Sequence, residues 1–369
     1  MKILYVTTIG GTMNFFKTFI GELVKQGHKV DLACNDTVSK PAEVYGEMGC
    51  EIYSISTSRS PYSKGNITAI KQLKKLVEEN QYDIVHCHTP LAAMCTRIAC
   101  RKARKKRGLK VIYTAHGFHF YKGAPIKNWL LYYPIEKICS YWTDVLININ
   151  LEDYAFSQKK MKAKKKMYVP GVGIDKSRFM DVNIDRASKK KELGIPENAT
   201  VVMSIGELNT NKNHEVVIRA VSEIKDVYYM VAGKGSLKEY LENLSKELGV
   251  EDRVKILGFR RDIGELCQCA DIFAFPSYRE GLPVSVMEAM FCGIPAVASD
   301  IRGVRDLVED GENGFLCNPF DYGTFADKIR VLAENSELRE KMGKVSKEKI
   351  EGFSMETVNK TMRDIYGLR

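Results

Sequence analysis

The chain has 369 residues, 44% of them hydrophobic and 28% charged, and a formal net charge of +10. That length exceeds one ordinary core and suggests about two domains. No stretch reaches roughly 18 uninterrupted apolar residues, which excludes a membrane-spanning helix. The opening Met1–Val6 reads as a first strand and not as a signal peptide, because Thr7, Thr8 and two glycines interrupt it at once.

Taken in order, residues 1–6 predict a strand and residues 7–12 a tight loop. The helix after it carries Phe15, Phe19 and Leu23 on one edge and Phe16, Ile20 and Val24 on the next, one broad buried face. Gly10 and Gly11 could let backbone N–H groups approach a phosphate, or could serve a plain turn. The loop is not Gly-x-Gly-x-x-Gly, so a dinucleotide fingerprint is absent. Further strands are expected over 51–55, 82–88, 110–114 and 144–148, and helices over 67–79, 91–104, 126–140 and 152–160. Such alternation argues for a doubly wound parallel α/β sheet. The Gly/Pro segment within 167–175 marks the interdomain linker. The pattern restarts with a strand over 200–206, the loop Glu207 to His214 and a helix over 216–224. A strand over 228–231 then ends in Gly233-Lys234-Gly235, which as a plain turn needs no ligand. A strand over 254–257 leads into a loop holding Arg260 and Arg261.

The stretch from Asp271 to Asp300 organises the second half. A short apolar strand, Ile272 to Phe275, ends at Pro276; a polar loop leads to Glu280, Gly281, Leu282 and Pro283. Proline suits the first helical position, and Val284, Met287 and Met290 give the helix its apolar side. Gly293 ends that helix, and a second buried strand runs over 294–298. A loop at the carboxyl end of a parallel strand, feeding a helix N-terminus, is where ligands bind and where free N–H groups favour anions. Glu280 and Glu288 flank that helix start. Acids there suit the helix dipole and need no further role. That reading fits Glu280 less well, because it is embedded in Gly-Leu-Pro and not in a polar run.

The ten cysteines are scattered without a Cys-x-x-Cys pair, which favours buried, reduced thiols in a cytosol. His86, His88, His116 and His119 raise a metal site, but no carboxylate or cysteine accompanies them at convincing spacing. Positive charge is concentrated in two runs, Arg97 to Arg107 and Lys159 to Lys166. They read as solvated helix and loop surface or as a docking surface for anionic lipid head groups; nucleic acid ranks last, since no aromatic stacking platform accompanies them. The helix over 126–140, rich in Trp129, Leu130, Tyr132 and Tyr133, is either core or a membrane wedge beside those runs.

Glu280-Gly281-Leu282-Pro283-Val284 through Glu288, with the strand before it and Cys292-Gly293-Ile294-Pro295-Ala296-Val297 after it, resembles the paired-glutamate signature of retaining glycosyltransferases with two Rossmann-like domains, the family 4-like group that includes bacterial polysaccharide and lipopolysaccharide transferases. The resemblance extends over nearly the whole chain. It implies two Rossmann-like doubly wound domains facing a cleft, with the last helix crossing back: 1–170 plus 353–369 for the acceptor and 171–352 for the nucleotide sugar. It implies a hexose or N-acetylhexosamine moved from a nucleotide sugar, UDP by expectation, to a lipid-linked sugar or growing glycan at the cytoplasmic face, without a metal. His116 in Thr114-Ala115-His116-Gly117 matches the histidine over the donor sugar, and Glu280 the carboxylate on a sugar hydroxyl. Glu288 matches the group on the ribose, Lys212 the cation on the pyrophosphate, and Gly10 and Gly11 the loop facing the donor's phosphates. Arg260 falls in the loop that cradles the base. Glu207 stands where many members carry Arg, which moves weight onto Lys212 and the helix start at Gly281 to Val284. A nucleotide-sugar epimerase of the same architecture, or a non-catalytic binding protein, are the other classes; the first would convert a donor without an acceptor and the second would bind none.

Overall fold

The computed structural model describes residues 1–180 and 182–368. The chain divides into two compact units, Met1–Val172 with Val358–Arg369, and Gly173–Thr357.

The first unit holds seven parallel strands: β1 (Lys2–Ile9), β2 (Lys29–Asn35), β3 (Ile52–Ser54), β4 (Ile84–His88), β5 (Lys110–Ala115), β6 (Val145–Asn148) and β7 (Lys165–Tyr168), in the order β3-β2-β1-β4-β5-β6-β7. The winding reverses between β1 and β4, so the carboxyl ends of those two strands form the switch point where such sheets bind ligands. β1 and β4 are buried along nearly their whole length, as continuous apolar runs in a sheet covered on both faces should be. The last helix, Met355–Tyr366, contributes Val358, Met362, Ile365 and Tyr366 to the core beneath β1.

The second unit has six parallel strands, β8 (Thr200–Ile205), β9 (Val227–Ala232), β10 (Val254–Gly258), β11 (Ile272–Phe275), β12 (Ala296–Ser299) and β13 (Gly314–Cys317), ordered β10-β9-β8-β11-β12-β13. Its switch point lies between β8 and β11. Phe273 and Ile272 on β11 are fully buried, and such side chains contribute about 1.5–3 kcal/mol each. The core therefore fixes β11, and β11 fixes where the Pro276–Pro283 loop begins.

Three local expectations need correction. Residues 7–12 do not form a simple loop: β1 runs to Ile9 and a 3-10 helix spans Gly10–Phe16. Phe15 therefore leaves the predicted apolar face and is exposed, while Phe16, Phe19, Ile20 and Leu23 are buried. Pro283 is the N-cap residue with an extended ψ of 114°, and the helix itself is Val284–Phe291. In the helix Ile126–Ser140, Trp129, Tyr132 and Tyr133 pack on the core, while Ile126 and Leu130 are exposed.

The first basic run is also not uniformly a surface. Arg97 is 1% exposed, donates to the Glu136 carboxylate at 2.8 Å and lies 4.2 Å from the Tyr113 ring. It is a buried ion pair and is removed from any docking surface. Arg104 and Lys164 both bond Asp144, at 2.8 and 2.9 Å, which ties the two runs together at the amino edge of the sheet. Ile126 and Leu130 start their helix at the opposite, carboxyl edge. They do not form one wedge with the basic residues. No helix among the described residues is long and apolar enough to cross a membrane. All ten cysteines are free, nine of them buried.

Candidate active site

In the second unit two loops meet at the switch point. The loop after β8 holds three asparagines, each with a task. The Asn209 side chain accepts the Lys212 N–H at 3.0 Å. Asn211 donates to the Arg279 carbonyl at 3.0 Å and its own carbonyl accepts the Tyr278 N–H at 2.8 Å. Asn213, in the left-handed region at φ 52°, donates to the Pro276 and Pro319 carbonyls at 3.2 and 2.8 Å. The loop after β11 is thereby stitched to the loop after β8, and Lys212 Nζ reaches Glu280 Oε1 at 2.7 Å, 5.1 Å from the Phe275 ring centre. An ammonium has three donors, so one carboxylate leaves capacity for an anion.

The glycines make this packing possible. A Cβ on Gly303, whose φ is +76°, would stand 1.9 Å from the Gly281 carbonyl oxygen; one on Gly233 would stand 1.7 Å from that of Gly206. The Gly233-Lys234-Gly235 turn is thus held by close backbone approach. The helix from Val284 begins without a side-chain cap, so its first N–H groups have no intrahelical or capping partner. They face the same loop as Lys212, where the helix dipole favours negative charge.

Glu288, one turn into that helix, is 6% exposed and held by Arg178 Nη1 at 2.8 Å. Burial raises its carboxyl above the usual range, against the opposing pull of Arg178. Beside it opens a cavity of about 650 Å³ lined by Gly206, Glu207, Gly233, Lys234, Phe259, Arg260, Arg261 and Glu288. That is the size and mixed character of a small-molecule site. Arg260 is braced by Asp262, with Nε 2.8 Å from Oδ1, and Glu207 is exposed at the rim. Lys212, Glu280, Gly281, Leu282, Pro283, Val284, Glu288, Glu207 and Arg260 are therefore all gathered at one edge of one sheet.

In the first unit the picture is mixed. Gly10 and Gly11 are at the carboxyl end of β1, but their N–H groups donate to the Ser39 carbonyl at 2.9 Å and the Ser39 hydroxyl at 3.1 Å. A Cβ on Gly10 would meet Ser39 O at 2.3 Å. These glycines serve a close crossing of chain, and their amides are not the open anion cradle the sequence suggested. His116, just past β5, is half-buried with its Nε2 3.1 Å from Nδ1 of His88. His86 bonds Tyr366 and Thr114 at 2.7 and 2.8 Å. Burial lowers the imidazole pKa of His116 to about 4 and of His86 to about 3. Among the described residues no group of three or more His, Cys, Asp or Glu is placed to hold a metal ion.

Two functional candidates escaped the sequence. Arg178 lies 110 positions from its partner Glu288. Arg302, 6% exposed, directs its guanidinium at the Glu280 carbonyl at 3.4 Å. The one signal for Arg302 was its place three residues after the strand that follows the helix, at the carboxyl edge where sites form.

The comparisons agree with this geometry. Residues 185–349 match the family model for glycosyl transferases group 1, and residues 2–150 the glycosyl transferase 4-like model. The EpsD protein of Bacillus subtilis (strain 168), itself assigned only as far as a glycosyltransferase, is 38% identical over 372 aligned positions, covering 99% of this chain and 96% of its own. The chain is a glycosyltransferase of the GT4 type.

The glycosyltransferase is also 29% identical over 317 positions, 82% of this chain and 81% of the relative, to the UDP-Gal:α-D-GlcNAc-diphosphoundecaprenol α-1,3-galactosyltransferase of Escherichia coli. Its fold is that of Anabaena HepE, solved in complex with UDP, at a TM-score of 0.82, with 22% identity and all of both chains covered. Two parallel-sheet units of this kind are the GT-B architecture. A lysine and an uncapped helix start at one switch point are an arrangement able to hold an anion.

Proposed function

We propose that this glycosyltransferase moves a hexose or N-acetylhexosamine, with retention, from a UDP-sugar to a lipid-linked sugar or growing glycan in cell-surface polysaccharide synthesis at the cytoplasmic face. The observation that carries the reading is the 2.7 Å contact of Lys212 with Glu280 beside the uncapped helix start at Val284. Lys212 and those N–H groups stabilise the departing diphosphate. Arg302, buried against the same loop, adds a second cation where Glu207 takes one away. Glu280 holds a hydroxyl of the transferred sugar, and Glu288 accepts from the ribose diol of a nucleotide in the adjoining cavity. His116 positions the sugar's far side. The acceptor hydroxyl enters on the face the diphosphate leaves, and the diphosphate takes its proton, so neither a protein acid nor a metal is needed. A pair of glycosidase carboxylates is a different arrangement, because that chemistry protonates the leaving oxygen across the bond.

The donor is supported by the UDP bound in HepE, and the acceptor class by the diphosphoundecaprenol substrate of the Escherichia coli relative. Calorimetry with a panel of UDP- and GDP-sugars, followed by turnover of Glu280→Gln and Glu288→Gln, tests the assignment. Wild-type turnover in both variants removes it, and unchanged turnover in EDTA is expected. The exposed cations at the amino edge, Arg101, Lys102, Lys105 and Lys106 among them, are proposed to hold the enzyme on anionic lipid. Each adds about 1 kcal/mol near such a surface, so neutralising these four should release the protein from phosphatidylserine vesicles; undiminished binding rejects that surface.

A further inference from the structure

His88 is the last residue of β4 and pairs with Thr114 on β5, which carries its ring alongside His116. The ring is clamped. Phe16 stacks on it at 4.0 Å between centres, His86 lies at 4.1 Å and Tyr5 at 5.6 Å, and the residue is 1% exposed. Its Nδ1 meets His116 Nε2 at 3.1 Å, and its Nε2 is buried without a hydrogen-bond partner. Both rings are neutral at physiological pH, because burial, and for His88 the neighbouring His86 and His116 as well, disfavours a charge.

Two neutral imidazoles joined by one hydrogen bond share one proton in it, and two arrangements exist. If His116 donates from Nε2, then His88 carries its own proton on Nε2, an N–H buried with no acceptor, at about 1–3 kcal/mol. If His88 donates from Nδ1, its Nε2 is a bare lone pair, and His116 carries its proton on Nδ1. Buried N–H groups without acceptors are rarer than under-used acceptors, which favours the second arrangement.

We propose that His88 is a positioning residue that holds His116 as its Nδ1–H tautomer, so that His116 meets the substrate as a hydrogen-bond donor and not as a base. The inference rests on the reading of His116 as the sugar-facing residue. It gives the chemistry a direction. A donor suits a sugar hydroxyl oxygen, and a ring nitrogen that already carries a proton cannot take one from the acceptor. The sugar recognised at His116 therefore offers a lone pair there, and the incoming proton goes to the diphosphate.

The test combines spectroscopy with a mutational contrast. The chain has six histidines, so ¹⁵N-histidine two-bond correlation spectra are tractable, with His116→Gln assigning the ring. The wild type should show a pyrrole-type Nδ1 and a pyridine-type Nε2 at His116. A pyridine-type Nδ1 overturns the proposal without any activity assay. His88→Asn places an amide near the reach of Nδ1, whereas His88→Gln and His88→Leu do not. Asn should keep the tautomer and most of kcat; Gln and Leu should lower kcat for UDP-sugar turnover about 10- to 100-fold with KM for the donor little changed. Equal kcat in Asn and Leu variants also overturns it. If the variants fail to fold, the wild-type spectrum still decides. If His116→Gln leaves turnover intact, the active-site reading has failed, and not merely the tautomer.

Discussion

Lys212→Met separates a catalytic lysine from a structural one. The side chain keeps its length and its apolar stem beside Gly206 but loses the charge that lies over the Phe275 ring. An ammonium about 4 Å from a diphosphate charge, at an effective dielectric of about 20, is worth about 4 kcal/mol. Removing one pre-organised donor from a departing anion lowers turnover by about 10²–10³-fold, the same order. The structural cost is much smaller. The Lys212 and Glu280 side chains are 21% and 18% exposed, so water still reaches both groups and losing the pair costs on the order of 1 kcal/mol, the upper end for a solvent-accessible pair. The variant should thus lose most of its UDP-sugar turnover and bind UDP more weakly, while its urea midpoint barely moves. Turnover and UDP affinity within threefold of wild type, in a folded variant, would refute the placement of the diphosphate at the β8/β11 switch point. A large fall in the urea midpoint would instead make Lys212 a structural brace.

Gly303→Ala should destabilise the second unit, because its φ of +76° and the Gly281 oxygen 1.9 Å from a new Cβ both resist a side chain. Left-handed strain alone costs about 1–2 kcal/mol, and the displaced loop should weaken UDP binding; a neutral outcome by urea denaturation and calorimetry would contradict the close packing. Arg97→Ala leaves the Glu136 carboxylate buried without its charge partner and should cost about 3–5 kcal/mol, with vesicle binding per folded molecule unchanged. Acid should unfold the first unit early. The folded pKa values of His86 and His88 lie below the unfolded value of about 6.5, so the stability they carry is present above that value and is lost as pH falls through it toward the folded ones. From pH 7 to 5 each costs about 2 kcal/mol. Trp129 and Trp142, the chain's two tryptophans, both lie in that unit, so their fluorescence reports it alone; a flat profile down to pH 4.5 would show that these rings are not buried neutral.

What could be read from the residues was whatever neighbours in the chain decide. Apolar runs such as Ile272 to Phe275, a strand–helix alternation and the Gly-Leu-Pro start of one short helix fixed the parallel sheets and the edge at which Glu280 and Glu288 stand, because burial and backbone geometry act over a few residues. What only the fold decided depends on residues far apart in sequence. Gly10 and Gly11 looked like an anion loop until Ser39, 28 positions beyond Gly11, took up their amides. Arg97 looked like one more surface cation until the helix carrying Glu136 closed over it. Arg178, Arg302 and His88 acquire their meaning from Glu288, Glu280 and His116, partners no local pattern could supply. Spacing sets which side chains face the same way along one element; which element arrives opposite them is set by the packing of the whole sheet.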